Sequence, residues 1–209
     1  MPSVSSLSEL TLTAFLTRVA DADPVPASGC VAALQGALGC ALSSMAFRHA
    51  SGESAEGKRQ PVYMGGRADE LSELAERLLA LVQEDAQAYG AFADAAHDEA
   101  RDKAARAALE VPLEVAETAL AGLRLLAVGA DGVPAPLWSE VLVACNALAA
   151  AIDGGLALVR ANAGSIDDAD WTADRLAILD TLASQADALA AEVRGVRADA
   201  PNVGGTQEG

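Results

Sequence analysis

Leu71-Ser-Glu-Leu74-Ala-Glu-Arg-Leu78-Leu-Ala-Leu81-Val-Gln-Glu-Asp85-Ala-Gln-Ala88-Tyr-Gly-Ala-Phe92 is the stretch that decides the fold. Its apolar positions advance in steps of three and four, the spacing of one helical face, and no breaker interrupts them before Gly90. The same seam carries Asp85 where a leucine or alanine belongs. Working outward, helix-forming composition continues on both sides: 49 of the 209 residues are alanine, and aromatics make up only 3%. Alanine is the best helix former and packs poorly on a sheet, so an all-α protein is expected. With 52% hydrophobic residues the chain is long and apolar enough to bury one sizeable core.

Punctuation divides the chain into six helices. The first is predicted from Leu12 to Ala20 with Thr11 as N-cap. The Asp21–Gly29 loop follows, its Pro24 and Pro26 forbidding helix continuation. A second helix spans Cys30 to His49, and Ser51–Gly66, with five Gly/Pro breakers, reads as a long loop. The third covers Arg67 to His97. The fourth runs from Asp98 to Val128 and is expected to kink or break at Pro112. After a turn over Gly129–Pro136, the fifth spans Leu137–Ala163, with an apolar stripe through Trp138, Val141/Leu142, Cys145, Leu148/Ala149, Ile152, Leu156 and Val159. The sixth covers Ala169–Arg197, seamed by Leu176, Leu179, Leu182 and Leu189. Short connections make these an antiparallel bundle: residues 1–197 form a single domain and residues 198–209, polar and glycine-rich, a disordered tail.

Charge and cysteines bound the function. With 14 Lys+Arg against 30 Asp+Glu the formal charge is −16, which repels nucleic acid and anionic membrane surfaces. Cys30, Cys40 and Cys145, unpaired in pattern and set in apolar runs, read as reduced thiols of a cytoplasmic protein, and no signal peptide is visible. The 18 uncharged residues from Cys30 to Phe47 approach spanning length, but Ala, Gly, Ser, Cys and Gln35 favour a buried bundle helix over a membrane span.

Several motifs resolve to ordinary readings. Gly52-Glu-Ser-Ala-Glu-Gly57-Lys58 satisfies GxxxxGK, yet a helix precedes it, Arg59 stands where a hydroxyl is needed, and Pro61 follows. Asp94-Ala-Ala-His97 is half of a carboxylate-bridged metal site, but the chain has two histidines, so no metal centre is expected. Ser139, Asn146, Asp153 and Arg160 repeat at spacing seven, as a solvated face does. Glu140 and Asn162 lie on a different line, otherwise small and apolar, where they could flank a cleft.

Two features carry chemistry. On the second helix, small residues form two adjacent lines, Gly29-Ala33-Ala37-Ala41 and Ala32-Gly36-Cys40-Ser44, which permit close helix approach, within the molecule or between two copies of it. That helix begins at a proline turn, so its N-terminal N–H groups suit an anionic or carbonyl group. Asp85, on an apolar seam, must be paired, hydrogen-bonded or proton-shifted; it reads equally as a structural acid or as a catalytic one.

These residues occur in an ordered set that resembles the formiminotetrahydrofolate cyclodeaminase and methenyltetrahydrofolate cyclohydrolase family. Phe15-Leu16, Pro24-Val-Pro26-Ala-Ser-Gly-Cys30-Val-Ala-Ala-Leu34 and Gly36-Ala-Leu-Gly39 are similar to its opening helix, Pro-x-Pro-Gly-Gly-Gly-Ser loop and small-residue helix. Glu84-Asp85-Ala-Gln-Ala-Tyr89 resembles its Glu-Asp-x-x-Ala-Tyr/Phe segment, and Glu110-Val-Pro112-Leu-Glu-Val-Ala116 its Val-Pro-Leu break. Ser139-Glu140 falls at the family's Ser-Asp, and Val159-Arg160-Ala-Asn162 at its Asn-Val-x-x-Asn. The departures are Ala27-Ser28-Gly29-Cys30 for Gly-Gly-Gly-Ser, Glu140 for Asp, and Leu158 for the first Asn.

The resemblance implies an all-helical folate one-carbon enzyme, a methenyltetrahydrofolate cyclohydrolase or formiminotetrahydrofolate cyclodeaminase, with a tetrahydrofolate derivative as substrate and no cofactor. In that reading Asp85 is the catalytic acid–base and Glu140 a second acid. Gly29, Cys30 and Asn162 orient the pterin, and Lys58 and Arg59 receive the anionic tail. No formiminotransferase-like stretch accompanies the segment, which favours the hydrolase. A homodimer is expected. The alternative is a helical protein that kept the fold, lost the chemistry through its altered glycine loop, and binds another small molecule or its own copy.

Overall fold

The computed structural model describes residues 6–52, 63–95 and 98–196. Six α-helices are described: α1 (Leu12–Val19), α2 (Ser28–Gly52), α3 (Tyr63–Asp94), α4 (Asp98–Gly129), α5 (Trp138–Asn162) and α6 (Ala169–Gly195). Single 3-10 turns fill the connections around them, and the described residues contain no strand. The all-α expectation therefore holds.

Local chemistry sets the boundaries. Thr11 caps α1 by accepting the Ala14 N–H at 3.2 Å, and Asp168 caps α6 by accepting the Trp171 N–H at 3.0 Å. α2 starts two residues earlier than expected, at Ser28 directly after the prolines. α3 starts at Tyr63, so Gly65 and Gly66, expected in the loop, are helical; a Cβ on either would meet open space. Residues 53–62, which include Lys58 and Arg59, lie outside the described residues, as do His97 and the expected tail. α4 does not break: it runs through Pro112 in one piece.

The core forms around α2, which packs most extensively against α3 and α5, with α4 closing the far side and α6 lying outside α4 and α5. Small residues allow this. A Cβ on Gly36 would press on Leu78 of α3 and Ala151 of α5, and one on Gly39 would come within 2.7 Å of Leu148. The α3 seam is buried at Leu71, Leu78, Leu81 and Ala88, with Leu74 and Phe92 packed at its edge. The α5 stripe is buried at Val141, Cys145, Leu148, Ile152, Leu156 and Val159 and half-buried at Trp138, Leu142 and Ala149, while Ser139, Asn146, Asp153 and Arg160 face outward. On α6, Leu179 is buried and Leu182 and Leu189 pack against the core as expected, while Leu176 is exposed and Thr172, Ala186, Ala190 and Val193 are buried as well.

α2 and the segment Ala135–Ser165 are each long and apolar enough to cross a membrane. In α2 most of that apolar window is covered by the neighbouring helices, as in a central bundle helix.

Candidate functional site

The N-terminus of α2 meets the middle of α3. The loop before it, with a cis Val25–Pro26 peptide, delivers Ser28, Gly29 and Cys30 as the first turn. Val31 N–H is the first donor to find a helical partner, the Ala27 carbonyl at 3.1 Å, so the earlier N–H groups need acceptors from elsewhere. Asp85 supplies one: its carboxylate accepts the Cys30 backbone N–H. It also accepts the Cys30 thiol, whose Sγ lies 3.3 Å from Oδ2 and the same distance from the Val82 carbonyl oxygen. Gly29 makes the seat possible, since a Cβ there would collide with the carboxylate.

The electrostatics follow from this seat. Burial raises the Asp85 carboxyl above the usual carboxylate range, and the Cys30 thiol and N–H oppose that rise without cancelling it. Burial first, and the neighbouring carboxylate second, push the Cys30 thiol up to about 12, so it is a neutral donor and no thiolate nucleophile. Glu84, adjacent in sequence, is used differently. Arg77 holds it at 3.1 Å through Nη2 and reaches Glu114 at 2.6 Å through Nε, an ion pair that ties α3 to α4 away from the seam.

Opposite Asp85, Pro112 shapes the wall. A proline inside a helix has no N–H for the carbonyl four residues earlier, which here is Ala108. Asn162, at the C-terminal end of α5, donates Nδ2 to that carbonyl at 2.7 Å. A carbonyl is matched only by the NH2 of an amide, so the bond fixes the side chain's orientation and leaves Oδ1 as an acceptor. Gly155 lets α5 reach this point: a Cβ would lie 2.6 Å from the Pro112 oxygen.

Between these walls is a pocket of about 180 Å³. Pro24, Val25 and the α2 turn form one side; Asp85 and Tyr89, Ala108 and Pro112, and Leu158 and Asn162 form the others. It thus joins four of the expected residues or their neighbours: Gly29, Cys30 beside it, Asp85 and Asn162. Larger grooves of about 480 and 440 Å³ lie elsewhere, one beside Arg67 and Arg124 and one beside Met45 and Arg48, and neither contains Asp85.

Glu140 is not part of this pocket. It sits in the first turn of α5, bonded by the Ser139 hydroxyl at 2.8 Å, at the opposite end of the helix from Asn162. Twenty-two residues of helix separate the two by about 33 Å. Of the cations near the loop, Arg48 is committed to Asp69 at 2.8 Å and Arg67 to partners including the Val128 carbonyl. Sequence reasoning missed the Ala108 carbonyl and Pro112 as pocket walls. The signal was present, because an internal proline always frees the carbonyl one turn before it.

Comparisons with known proteins bear on the family and the fold. The model of the formiminotransferase-cyclodeaminase family matches residues 11–181. The fold is similar to that of formiminotetrahydrofolate cyclodeaminase from Thermotoga maritima, with a TM-score of 0.80, 22% identity, and coverage of 91% of this chain and 96% of that one. No curated protein matches.

Proposed function

The chain belongs to the formiminotransferase-cyclodeaminase family, and from that premise we propose that it is a folate one-carbon enzyme. It hydrolyses methenyltetrahydrofolate to formyltetrahydrofolate or cyclodeaminates formiminotetrahydrofolate. The observation that carries this reading is the Asp85 carboxylate, seated on the first turn of α2 at the wall of a pocket and proton-hungry through burial.

Both reactions pass through a carbon flanked by two nitrogens, and both need a proton moved on one face. In hydrolysis, water adds to the cationic methenyl carbon and Asp85 takes one of its protons; that proton goes to the ring nitrogen as its bond to carbon breaks, and the remaining hydroxyl proton leaves to solvent as the formyl carbonyl forms. In cyclodeamination, the attacking amine gives its proton to Asp85, which returns it to the departing ammonia. A carboxyl raised toward neutrality suits both halves of such a transfer. Its charge also stabilises the amidinium-like substrate in a site of low polarity. Asn162, with Oδ1 free to accept, orients the N–H groups of the pterin edge, and the Gly29–Cys30 turn lines the ring's other side. The pocket is smaller than cavities that enclose a drug-sized ligand, which supports a ring held within and a tail lying across the rim. Lys58 and Arg59 remain the proposed tail contacts.

In this reading residues 1–197 act as one domain, the three buried thiols suit the reducing cytoplasm, and the working unit is a homodimer. The dimer draws support from α2, whose outer stripe leaves Leu38 and Met45 exposed on a helix without a charge from Cys30 to Phe47. The competing reading, a helical protein that kept the fold, lost the chemistry and binds another small molecule or its own copy, draws on the side chains of Ala27 and Ser28 at the rim of so small a pocket. Loss of the methenyl chromophore on adding protein, against an Asp85→Asn control, decides: equal rates remove Asp85 from the mechanism. Calorimetric titration with folates that gives no heat favours the competitor.

A further inference from the structure

Cys30 holds an odd position: one thiol hydrogen faces two acceptors at the same 3.3 Å, the Val82 carbonyl oxygen and Asp85 Oδ2. We propose that Cys30 is a positioning residue for the Asp85 proton, its S–H directed at the carboxylate while Asp85 is ionised and at Val82 once Asp85 is protonated. The inference rests on Asp85 as the proton-handling group, but it concerns the free protein and needs no folate.

The preference in each state follows from donor and acceptor chemistry. An ionised oxygen is the stronger acceptor, so the S–H turns to it. When Asp85 carries the proton, its O–H becomes the donor and sulfur accepts it, while the thiol hydrogen goes to the amide carbonyl. Only one proton arrives or leaves, on Asp85; sulfur keeps its own hydrogen throughout, which a thiol pushed up to about 12 permits. Because a thiol is a weak donor and a weak acceptor, neither state is locked. A hydroxyl at this place would hold the carboxylate ionised more firmly.

Among the described residues lining the pocket, α3 offers Asp85 and Tyr89 as titratable groups and α2 offers Cys30 beside them; the residues from α4 and α5 are Ala108, Pro112, Leu158 and Asn162, none of which titrates. Glu84 and Glu114 are held on Arg77. The Cys30 thiol, bonded to Asp85, is therefore the group placed to respond to its proton.

Infrared spectroscopy of the intact protein reads this directly, because S–H stretching falls where proteins otherwise absorb little. A pH series should show one thiol band shifting with the same midpoint as the carboxyl carbonyl band that Asp85→Asn abolishes. That thiol band should vanish in Cys30→Ser and stay fixed in Asp85→Asn. In Cys30→Ser the Asp85 midpoint should shift down, and in Cys30→Ala it should shift up. A Cys30 band that stays fixed while Asp85 titrates, or one that still moves in Asp85→Asn, overturns the proposal, and the wild-type series alone suffices if a variant does not fold. Coupled bands without folate turnover would instead sink the proposed function and leave this inference standing.

Discussion

Gly29 and Asp85 occupy adjoining space so tightly that a single methyl on Gly29 would overlap the carboxylate. The helix N-terminus and the acid are thus one construction: α2 gains an acceptor for its Cys30 N–H, and Asp85 gains a fixed position in an apolar seam.

Gly29→Ala should separate activity from stability. Replacing glycine by alanine gains at most about 1 kcal/mol of helix propensity, and overpacking costs about 1–3 kcal/mol. Asp85 can escape the overlap by rotating its short side chain, but only by leaving the Cys30 donors. The expected result is a net destabilisation on the order of 1 kcal/mol by urea denaturation, with folate turnover reduced by more than tenfold. Full turnover in this variant would show that the seat is dispensable.

The elements show what a sequence can and cannot reveal here. The α3 seam was legible because leucines repeat at helical spacing, and Asp85 stood out because a carboxylate interrupted them. Gly29 was legible as a small residue at a helix start, although its partner was not. The α6 seam was legible at Leu179, Leu182 and Leu189, but leucine spacing does not reveal that Ala186, Ala190 and Val193 are buried as well. Glu140 and Asn162 stand at the two ends of one helical line, and the pocket beside Asp85 forms at the Asn162 end. The Asn162–Ala108 bond joins residues 54 apart, so it depends on the register between α4 and α5, which no local pattern encodes.

Asp85 should also leave a mark on pH-dependent stability. Its folded carboxyl lies above the unfolded value, so between the two the folded state binds more protons and stability falls as pH rises. The contribution is fully present below the ordinary carboxylate range and is lost as pH passes the raised folded value. Asp85→Asn removes that slope. Urea denaturation in steps from pH 4 to 8 should therefore show the variant gaining on wild type as pH rises, while turnover falls by about 10²–10⁴-fold. A constant stability difference across the series would mean that Asp85 does not titrate abnormally.

The outer stripe of α2 gives the third test. Leu38, 59% exposed, sits at its middle, and burying one leucine side chain is worth about 1.5–3 kcal/mol. Light scattering after size exclusion should give a dimer for the native chain and a monomer for Leu38→Glu, since a buried unpaired charge costs more than the lost contact. A native monomer would count against the homodimer.

The wall opposite Asp85 offers a double-mutant cycle that isolates one hydrogen bond. Asn162→Ala leaves the part-buried Ala108 carbonyl without its donor, and losing such a hydrogen bond costs about 0.5–1.5 kcal/mol. Pro112→Ala restores an N–H one turn along, giving that carbonyl a helical partner. In the Pro112→Ala background the same Asn162→Ala change should therefore cost less, with a coupling of about 0.5–3 kcal/mol from the four denaturation curves. Activity should respond differently: Asn162→Ala also removes the Oδ1 acceptor from the pocket, which Pro112→Ala cannot replace. KM should rise in both backgrounds even where stability recovers. Additive stabilities would show that the Asn162 amide does not serve the carbonyl that Pro112 frees.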